Sequence, residues 1–402
     1  MKKTSLLVLF LVVFIDLLGF GIVLPLLPFY ASRYGASGTT VGLIVGVYSL
    51  MQFFFAPIWG RLSDKVGRRP IIMLSLTGSV VGYSIFAFAE TVPLLFLARI
   101  VAGIAAANIS TAQAYVSDIT SSGERAKGMG IIGAAFGLGF IFGPVTGGLL
   151  SSYGEAIGMP GNLLPGIAAA VFSAGSLLTA IIFLGESRPA DLRPRTGRPP
   201  QFDPDMWQRV LGDRSLSRVF IALFLVILAF ASMETSVVLH GERGFGLEPK
   251  DLGFFFGLMG TLVAVIQGGL IGKLSRRFGE RLLVRSGTLL LTVGFAIVPL
   301  IHQHGWLFLA AVLIAAGQGV TYPSLTSMVS KLADPKERGS TLGISAALSS
   351  LARMTGPVMA GILYDAFAAW GPFTTAAFLT LLASVVMVTS LRGRVGDLAV
   401  SG

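Results

Sequence analysis

Long apolar segments recur along the whole chain, and they constrain its fold more than any other feature. Each segment has about 20 residues, enough for a helix to cross the ~30 Å hydrocarbon core of a bilayer. Only 12% of the 402 residues are charged, which is too few to cover the surface of a soluble domain of this size. The sequence therefore predicts an all-α polytopic membrane protein, with twelve transmembrane helices at about residues 6–30, 40–59, 71–89, 92–117, 127–151, 164–185, 217–240, 250–271, 282–301, 305–331, 339–364 and 372–391.

Lysine and arginine residues are distributed unevenly between the connections of these spans. With the N-terminus in the cytoplasm, 25 of the 30 basic residues fall in cytoplasmic segments and three in external ones. The remaining two, Arg99 and Arg353, lie inside spans. An excess of basic residues on the cytoplasmic side is typical of membrane proteins. The net charge of +10 therefore indicates orientation, with both termini cytoplasmic, and we expect no nucleic-acid partner.

The first apolar segment is too long for a signal-peptide core and contains Asp16, so we expect it to remain as an uncleaved first helix. The chain has no cysteine and only three histidines, all at predicted outer ends. We find no plausible nucleophile–base pair, metal motif or ATP-binding motif. The sequence thus favours a non-enzyme without a metal or cofactor, driven by an ion gradient.

The two halves of the chain resemble each other. Gly143-Pro144 recurs as Gly356-Pro357 at an offset of 213 residues, and Glu124-Arg125 recurs as Glu337-Arg338 at the same offset. A constant offset of this kind indicates a parallel duplication, six helices plus six. We predict an N-terminal bundle over residues 1–187, a cytoplasmic linker over 188–216 and a C-terminal bundle over 217–402.

The segment Gly60–Pro70 carries five charged residues between two apolar spans, which predicts a tight cytoplasmic turn. A weaker copy begins at Gly272 in the second half, at an offset of 212 residues. Arg276 stands there in the place of Asp64, so we expect the two turns to differ in function.

Four ionisable residues lie deep within predicted spans: Asp16, Arg99, Glu234 and Arg353. At 1.5 Å per residue, Asp16 and Arg99 lie ~17 and ~20 Å from the cytoplasmic face, and Glu234 and Arg353 lie ~25 and ~22 Å from it. Each pair is therefore feasible within its own bundle. Because ionisable residues inside membranes are costly and usually functional, we predict Asp16 and Glu234 as proton-coupling sites with Arg99 and Arg353 as charge partners. Two static ion pairs are the structural alternative.

Polar residues on several spans suggest a substrate cavity lined by amides and aromatic rings. Helical phase places Ser110 and Gln113 on the face of Arg99, and Ser349 on the face of Arg353. Interhelical hydrogen bonding is the alternative for each residue. The candidate cavity residues are Tyr48, Gln52, Ser110, Gln113, Gln267, Gln318, Tyr322 and Ser349.

These motifs resemble those of the major facilitator superfamily over essentially the whole chain. The resemblance implies two pseudo-symmetric six-helix bundles in a bacterial inner membrane. It also implies a cytoplasmic gate, in which Arg68 pairs with Asp118 at the end of the fourth helix and Asp64 caps and tethers a neighbouring helix of the other bundle. The gate residues so implied are Gly60, Asp64, Gly67, Arg68, Arg69 and Asp118, and the residues similar to an antiporter motif are Gly139, Gly143, Pro144, Gly147 and Gly148.

The run from Asp16 to Pro28, together with Arg99, is similar to the tetracycline-efflux branch of the drug/proton antiporters. That branch has an acidic residue in the middle of the third helix, where this chain has Gly82 or its neighbours, and another in the ninth helix, where residues 282–301 have none. The leading hypothesis is a proton-coupled exporter of small amphipathic compounds that works by alternating access, and we expect a monomer. A nutrient symporter or uniporter, and a non-transporting membrane receptor or enzyme, remain alternatives.

Overall fold

The computed structural model describes residues 2–106, 108–120, 125–187, 212–334 and 338–389. Within these ranges the chain forms thirteen α-helices and no strand. They are α1 (Lys2–Arg33), α2 (Gly38–Val66), α3 (Arg68–Ala87), α4 (Val92–Ala105), α5 (Asn108–Ile119), α6 (Arg125–Ala156), α7 (Leu163–Phe183), α8 (Arg214–Phe245), α9 (Pro249–Val265), α10 (Ile271–Ile297), α11 (Gly305–Leu332), α12 (Arg338–Phe367) and α13 (Trp370–Thr389).

Eleven helical stretches of the described chain are long and apolar enough to cross a membrane. The stretch Pro249–Leu300 has 52 residues and contains both the eighth and the ninth predicted spans. A π-helical segment, Ile266–Leu270, joins α9 to α10 within it. Each of the twelve predicted spans therefore has a helical counterpart, and the predicted fold class is confirmed.

The fourth predicted span is not one continuous helix. It divides into α4 and α5, and Ala106 at the end of α4 leaves the helical conformation with φ −70° and ψ 47°. The break frees carbonyl groups that a continuous helix would pair with N–H groups four residues later. Neighbouring side chains donate hydrogen bonds to three successive carbonyl oxygens. Trp59 donates to that of Ile104, Ser75 to that of Ala105 and Gln52 to that of Ala106. The predicted phase of Ser110 and Gln113 relative to Arg99 assumed a continuous helix, so it does not hold across this break.

The predicted turn at Gly60–Pro70 is shorter than expected. Helix α2 continues to Val66, and α3 begins at Arg68, so that Gly67 alone reverses the chain. Its φ of 110° is unfavourable for any residue with a Cβ. Gly279, at the corresponding place in the second half, has a φ of 72° within α10. The duplication therefore extends to backbone conformation.

The chain divides into two compact units. The first comprises Met1–Pro199 and Val237–Thr261. Its core includes apolar side chains of α1, α3, α5 and α6, which are buried against one another: Leu9, Val12, Leu17, Leu76, Tyr115, Val116 and Ile132. Large apolar side chains of α7, such as Phe183, remain exposed, as expected where a helix contacts lipid.

The second unit comprises Pro200–Ser236 and Leu262–Gly402. Within it, α10 and α11 cross closely at Gly287 and Gly317. Helix α12 approaches α8 at Gly356, where a Cβ would lie 3.0 Å from the carbonyl oxygen of Leu228. Most of the predicted linker, residues 188–211, lies outside the described residues, as do Glu124 and Glu337. The predicted domain boundaries therefore stay a prediction.

Candidate functional site

Arg99 lies in α4 with its guanidinium among aromatic rings. The residue is 3% exposed. Its guanidinium carbon lies 4.4 Å from the centroid of the Tyr48 ring and 5.8 Å from the centroid of the Phe20 ring. Stacking of this kind stabilises a cation by about 0.5–2 kcal/mol. The rings thus offset part of the cost of holding a charge inside a membrane span.

Tyr83 in α3 packs against α1 at Gly19, three residues after Asp16, where a Cβ would lie 3.2 Å from its ring. It is 5% exposed, and the charges of Asp16 and Arg99 both act on it. The packing of three helices of the first unit therefore gathers the two predicted residues around one tyrosine. Tyr83 directly follows Gly82, at the place where the resemblance led us to look for an acidic residue. We missed it because a tyrosine in an apolar span gives no separate signal in the sequence.

A group of four aromatic residues lies beside Arg99, and we call Phe20, Tyr48, Phe136 and Phe140 the aromatic group. The Phe20 ring centroid is 5.4 Å from that of Tyr48 and 5.9 Å from that of Phe140. The Phe136 and Phe140 rings stack at 6.4 Å. All four residues are partly exposed. They form an accessible aromatic surface next to a buried cation.

The other predicted cavity residues are spread over both units. Gln52 lies at the break in the fourth span, where its Nε2 donates to the carbonyl oxygen of Ala106 at 3.5 Å. Ser349 donates to the carbonyl oxygen of Ser345 on its own helix at 2.8 Å. Gln318 keeps a buried Oε1 that accepts no hydrogen bond from the described residues. The remaining candidates differ in exposure: Ser110 and Gln113 are exposed, and Gln267 and Tyr322 are partly exposed.

Glu234 and Arg353 both lie in the second unit. Glu234 is partly exposed and Arg353 is exposed. The charge of Arg353 acts on Glu234, although no ion pair within 4.0 Å joins them in the described structure. Their predicted roles stay predictions.

The turn at Gly67 holds a cluster of charged and polar groups, which we call the turn cluster: Ser63, Asp64, Arg68, Asp118 and Glu186. Arg68 forms ion pairs with Asp64 at 2.7 Å and with Asp118 at 3.1 Å, and it donates to Ser63 at 2.6 Å. The residue is 5% exposed. A guanidinium with several acceptors is suited to joining helix ends in one defined geometry.

Glu186 was missed as a member of this cluster. Its carboxylate accepts hydrogen bonds from the backbone N–H groups of Arg68 at 2.9 Å and Arg69 at 3.2 Å, at the first residues of α3. A negative charge at a helix N-terminus is stabilised by the free N–H groups and the helix dipole. The sequence signal was its place as the first acidic residue after the sixth span. The guanidinium of Arg69 extends away from the cluster and donates to the carbonyl oxygen of Ile181 at 2.6 Å.

We expect Glu186→Ala to lower the free energy of unfolding by about 1–3 kcal/mol, because two backbone donors at a helix start lose a charged acceptor. Thermal unfolding of the purified protein measures the change. The matched control is Glu90→Ala, since Glu90 is exposed. An equal loss in both variants would contradict the capping role.

In the second unit, three charged positions of the turn cluster recur with the opposite sign. At offsets of 212 or 213 residues, Arg276 takes the place of Asp64, Glu280 that of Arg68, and Lys331 that of Asp118. Glu280 pairs with Lys331 at 2.5 Å, and Ser327 donates to Glu280 at 3.1 Å. The asymmetry predicted from Arg276 alone therefore extends to three positions, of which Glu280 and Lys331 form an ion pair. The offset of Lys331 from Asp118 was available in the sequence and would have revealed it.

The residues that resemble an antiporter motif pack α6 against two other segments of the first unit. Gly139, Gly143 and Gly147 face α1, where a Cβ at Gly143 would lie 2.6 Å from the Cα of Gly21. Gly148 faces the start of α9, and the carbonyl oxygen of Pro144 would lie 2.5 Å from a Cβ at Gly253. The motif thus forms a seam of close backbone contacts.

At the opposite end of the first unit, α1 is tied to its neighbours by polar contacts. Arg33 pairs with Glu155 at 2.5 Å, and Arg243 donates to Ser32 at 3.0 Å. The Tyr34 hydroxyl lies 3.0 Å from the carbonyl oxygen of Ala89, and burial raises the pKa of this tyrosine. Sequence reasoning identified none of these contacts.

Comparison with known proteins agrees with this architecture. The family described as Major Facilitator Superfamily matches residues 9–302 and 268–399. The chain belongs to the major facilitator superfamily. As a member, it is a multi-pass membrane transporter and not an enzyme. It lies in a lipid bilayer and carries a small-molecule substrate.

Superfamily members that resemble this chain include drug resistance proteins. The tetracycline resistance protein of class C from Escherichia coli is 32% identical over 373 residues, which cover 92% of each chain. The multidrug resistance protein 2 of Bacillus subtilis is 30% identical and covers 95% of this chain and 94% of its own. Among solved structures, the human organic anion transporter MFSD10 (TETRAN) has a TM-score of 0.68 at 27% identity, with 96% of this chain and 99% of that one covered. The resemblance to the drug/proton antiporters, including the tetracycline-efflux branch, is thereby confirmed.

Proposed function

We propose that this transporter is a proton-coupled exporter of small amphipathic compounds that works by alternating access. One observation carries the proposal: Asp16, a protonatable carboxylate inside a membrane span, lies one turn before Phe20 on α1, and the guanidinium of Arg99 lies 5.8 Å from the centroid of the Phe20 ring. A carboxylate that gains and loses a charged neighbour changes its proton affinity, which is what coupling to a proton gradient requires. The names of two relatives, a tetracycline resistance protein and a multidrug resistance protein, support export of drug-like compounds.

The turn cluster supports a mechanism with a reversible gate. Arg68 joins the start of α3 to the ends of α2 and α5 through Asp64 and Asp118. Such a cluster closes one end of a transporter while its ion pairs are formed, and it opens that end when the pairs separate and water solvates the charges. We place this end in the cytoplasm with both termini, in a bacterial inner membrane, and we infer that the monomer is the working unit.

The experiment is a proton-flux assay with purified protein in liposomes that carry a pH gradient and an internal pH-sensitive dye. A panel of amphipathic drugs is added, with tetracycline included. We expect at least one compound to stimulate proton movement above the level of protein-free liposomes. A protein that binds compounds without any stimulated proton flux would instead be a receptor or a uniporter. The reverse coupling direction, with protons and substrate moving together, would identify a symporter.

A further inference from the structure

We propose that Arg99 and the aromatic group bind the anionic head of an aromatic substrate, such as a carboxylate or a deprotonated phenol. The inference rests on the proposed export function and specifies the class of compound that the first unit takes. It starts from the partners of Arg99 in the structure.

Within the part of the chain that the structure describes, the buried guanidinium of Arg99 has no counterion. Among the described residues, no carboxylate lies within 4.0 Å of it, and its Nε–H group donates to no acceptor. A guanidinium has five N–H donors. Leaving a buried charge unpaired costs several kcal/mol, and the rings beneath it supply stacking, but no hydrogen bond joins them to the guanidinium within the described residues. The site as built therefore favours an incoming anion.

The aromatic group favours an anion that is attached to an aromatic ring. The Tyr48 and Phe20 rings lie against the cation, and Phe140 continues the surface away from it. These rings are partly exposed, whereas Arg99 is buried behind them. Aromatic rings stack on one another at separations of 4.5–7 Å. A flat aromatic compound placed on these rings would direct an acidic substituent towards the guanidinium.

A lipophilic cation is the opposite class of occupant, and the charge of Arg99 disfavours it. The aromatic faces that would attract a cation already lie against Arg99, and a second cation would meet a like charge in a medium of low dielectric constant. Asp16 is the nearby acid, and its charge acts with that of Arg99 on Tyr83. A substrate anion at Arg99 would change the charge next to Tyr83, on which Asp16 also acts, and this links substrate binding to the proton site.

The test measures equilibrium binding to the purified protein in lipid nanodiscs, without a gradient. Three fluorescent probes share one ring system: 2-naphthoate, 2-naphthamide and 2-naphthylmethylammonium. We expect 2-naphthoate to bind about 10- to 100-fold more tightly than the amide, the range given by one or two charge-assisted hydrogen bonds. Arg99→Gln removes this preference, while Arg99→Lys, which keeps the charge, retains part of it. Arg285→Gln, the same change at an exposed arginine, leaves it intact.

Three outcomes would overturn the inference: tighter binding of the ammonium probe than of the carboxylate, a preference for 2-naphthoate that survives in Arg99→Gln, or no binding of any probe. The first and third outcomes are measured on the wild-type protein alone, so they do not depend on whether a variant folds. Anion binding without any substrate-stimulated proton flux would overturn the proposed function instead and leave this inference standing.

Discussion

Asp16→Asn is expected to abolish transport driven by a pH gradient while leaving substrate binding largely intact. Asparagine keeps the shape and polarity of the side chain but cannot exchange a proton. Asp16 lies in α1, with its charge acting on Tyr83 close to Arg99. The measurement is substrate-stimulated proton flux in liposomes, and we expect it to fall to the level of protein-free vesicles. Because an intramembrane carboxylate is rarely retained without a function, this is the largest effect that a single isosteric substitution should have.

The matched control for this variant is Asp365→Asn, because Asp365 is exposed. The variant Asp16→Glu keeps the titratable group and should keep part of the flux. The second candidate coupling residue, Glu234, is tested in the same way as Glu234→Gln. Full flux in Asp16→Asn together with its loss in Glu234→Gln would reassign proton coupling to the second unit.

Gly143→Ala is expected to destabilise the first unit through overpacking. The new methyl group would lie 2.6 Å from the Cα of Gly21 and 2.7 Å from its carbonyl carbon. Both are backbone atoms, so relief requires α1 and α6 to move apart rather than a side chain to rotate. Overpacking typically costs 1–3 kcal/mol, which corresponds to a fall of about 2–12 °C in the unfolding temperature of a domain of this size. Thermal unfolding in detergent or nanodiscs measures this, and we expect transport to fall with it.

The control for this second variant lies on the same helix. A Cβ at Gly133 meets no atom within 4 Å, so Gly133→Ala adds helix propensity without a clash. Its unfolding temperature should stay the same or rise. A similar decrease in both variants would show that flexibility of α6, and not the contact with α1, is what the glycines provide.

The fold was predictable from the sequence because a bilayer allows few solutions. The length of the apolar segments alone located twelve spans, and the basic residues predicted which of their connections are cytoplasmic. What composition could not show were the departures from ideal helices. The break after Ala105 depends on Trp59, Ser75 and Gln52 from two other helices, which donate hydrogen bonds to its free carbonyl groups. No pattern within the fourth span predicts that its neighbours can do so.

The candidate site was predictable where a residue was chemically unusual for its surroundings. Asp16 and Arg99 stood out as charges in apolar spans, and the structure places both near one tyrosine. Tyr83 and Glu186 did not stand out, because an aromatic residue in a span and an acid after one are both ordinary. Their importance comes from three-dimensional neighbours: the charges on either side of Tyr83 and the backbone N–H groups that face Glu186. Residues of this kind become visible only when the helices are packed.

The reversed charges of the two clusters have a consequence for the history and engineering of this protein. If one ancestral half was copied, a change of sign at Arg68 alone would have placed like charges beside Asp64 and Asp118, within about 3 Å. Such an intermediate is unfavourable, so we expect the charges at the positions of Arg68 and Asp118 to have changed together. A charged residue of one half therefore cannot be exchanged singly for its counterpart in the other half. A chimaera that repeats one half twice would preserve its internal pairs, whereas grafting α3 alone from one half into the other would not.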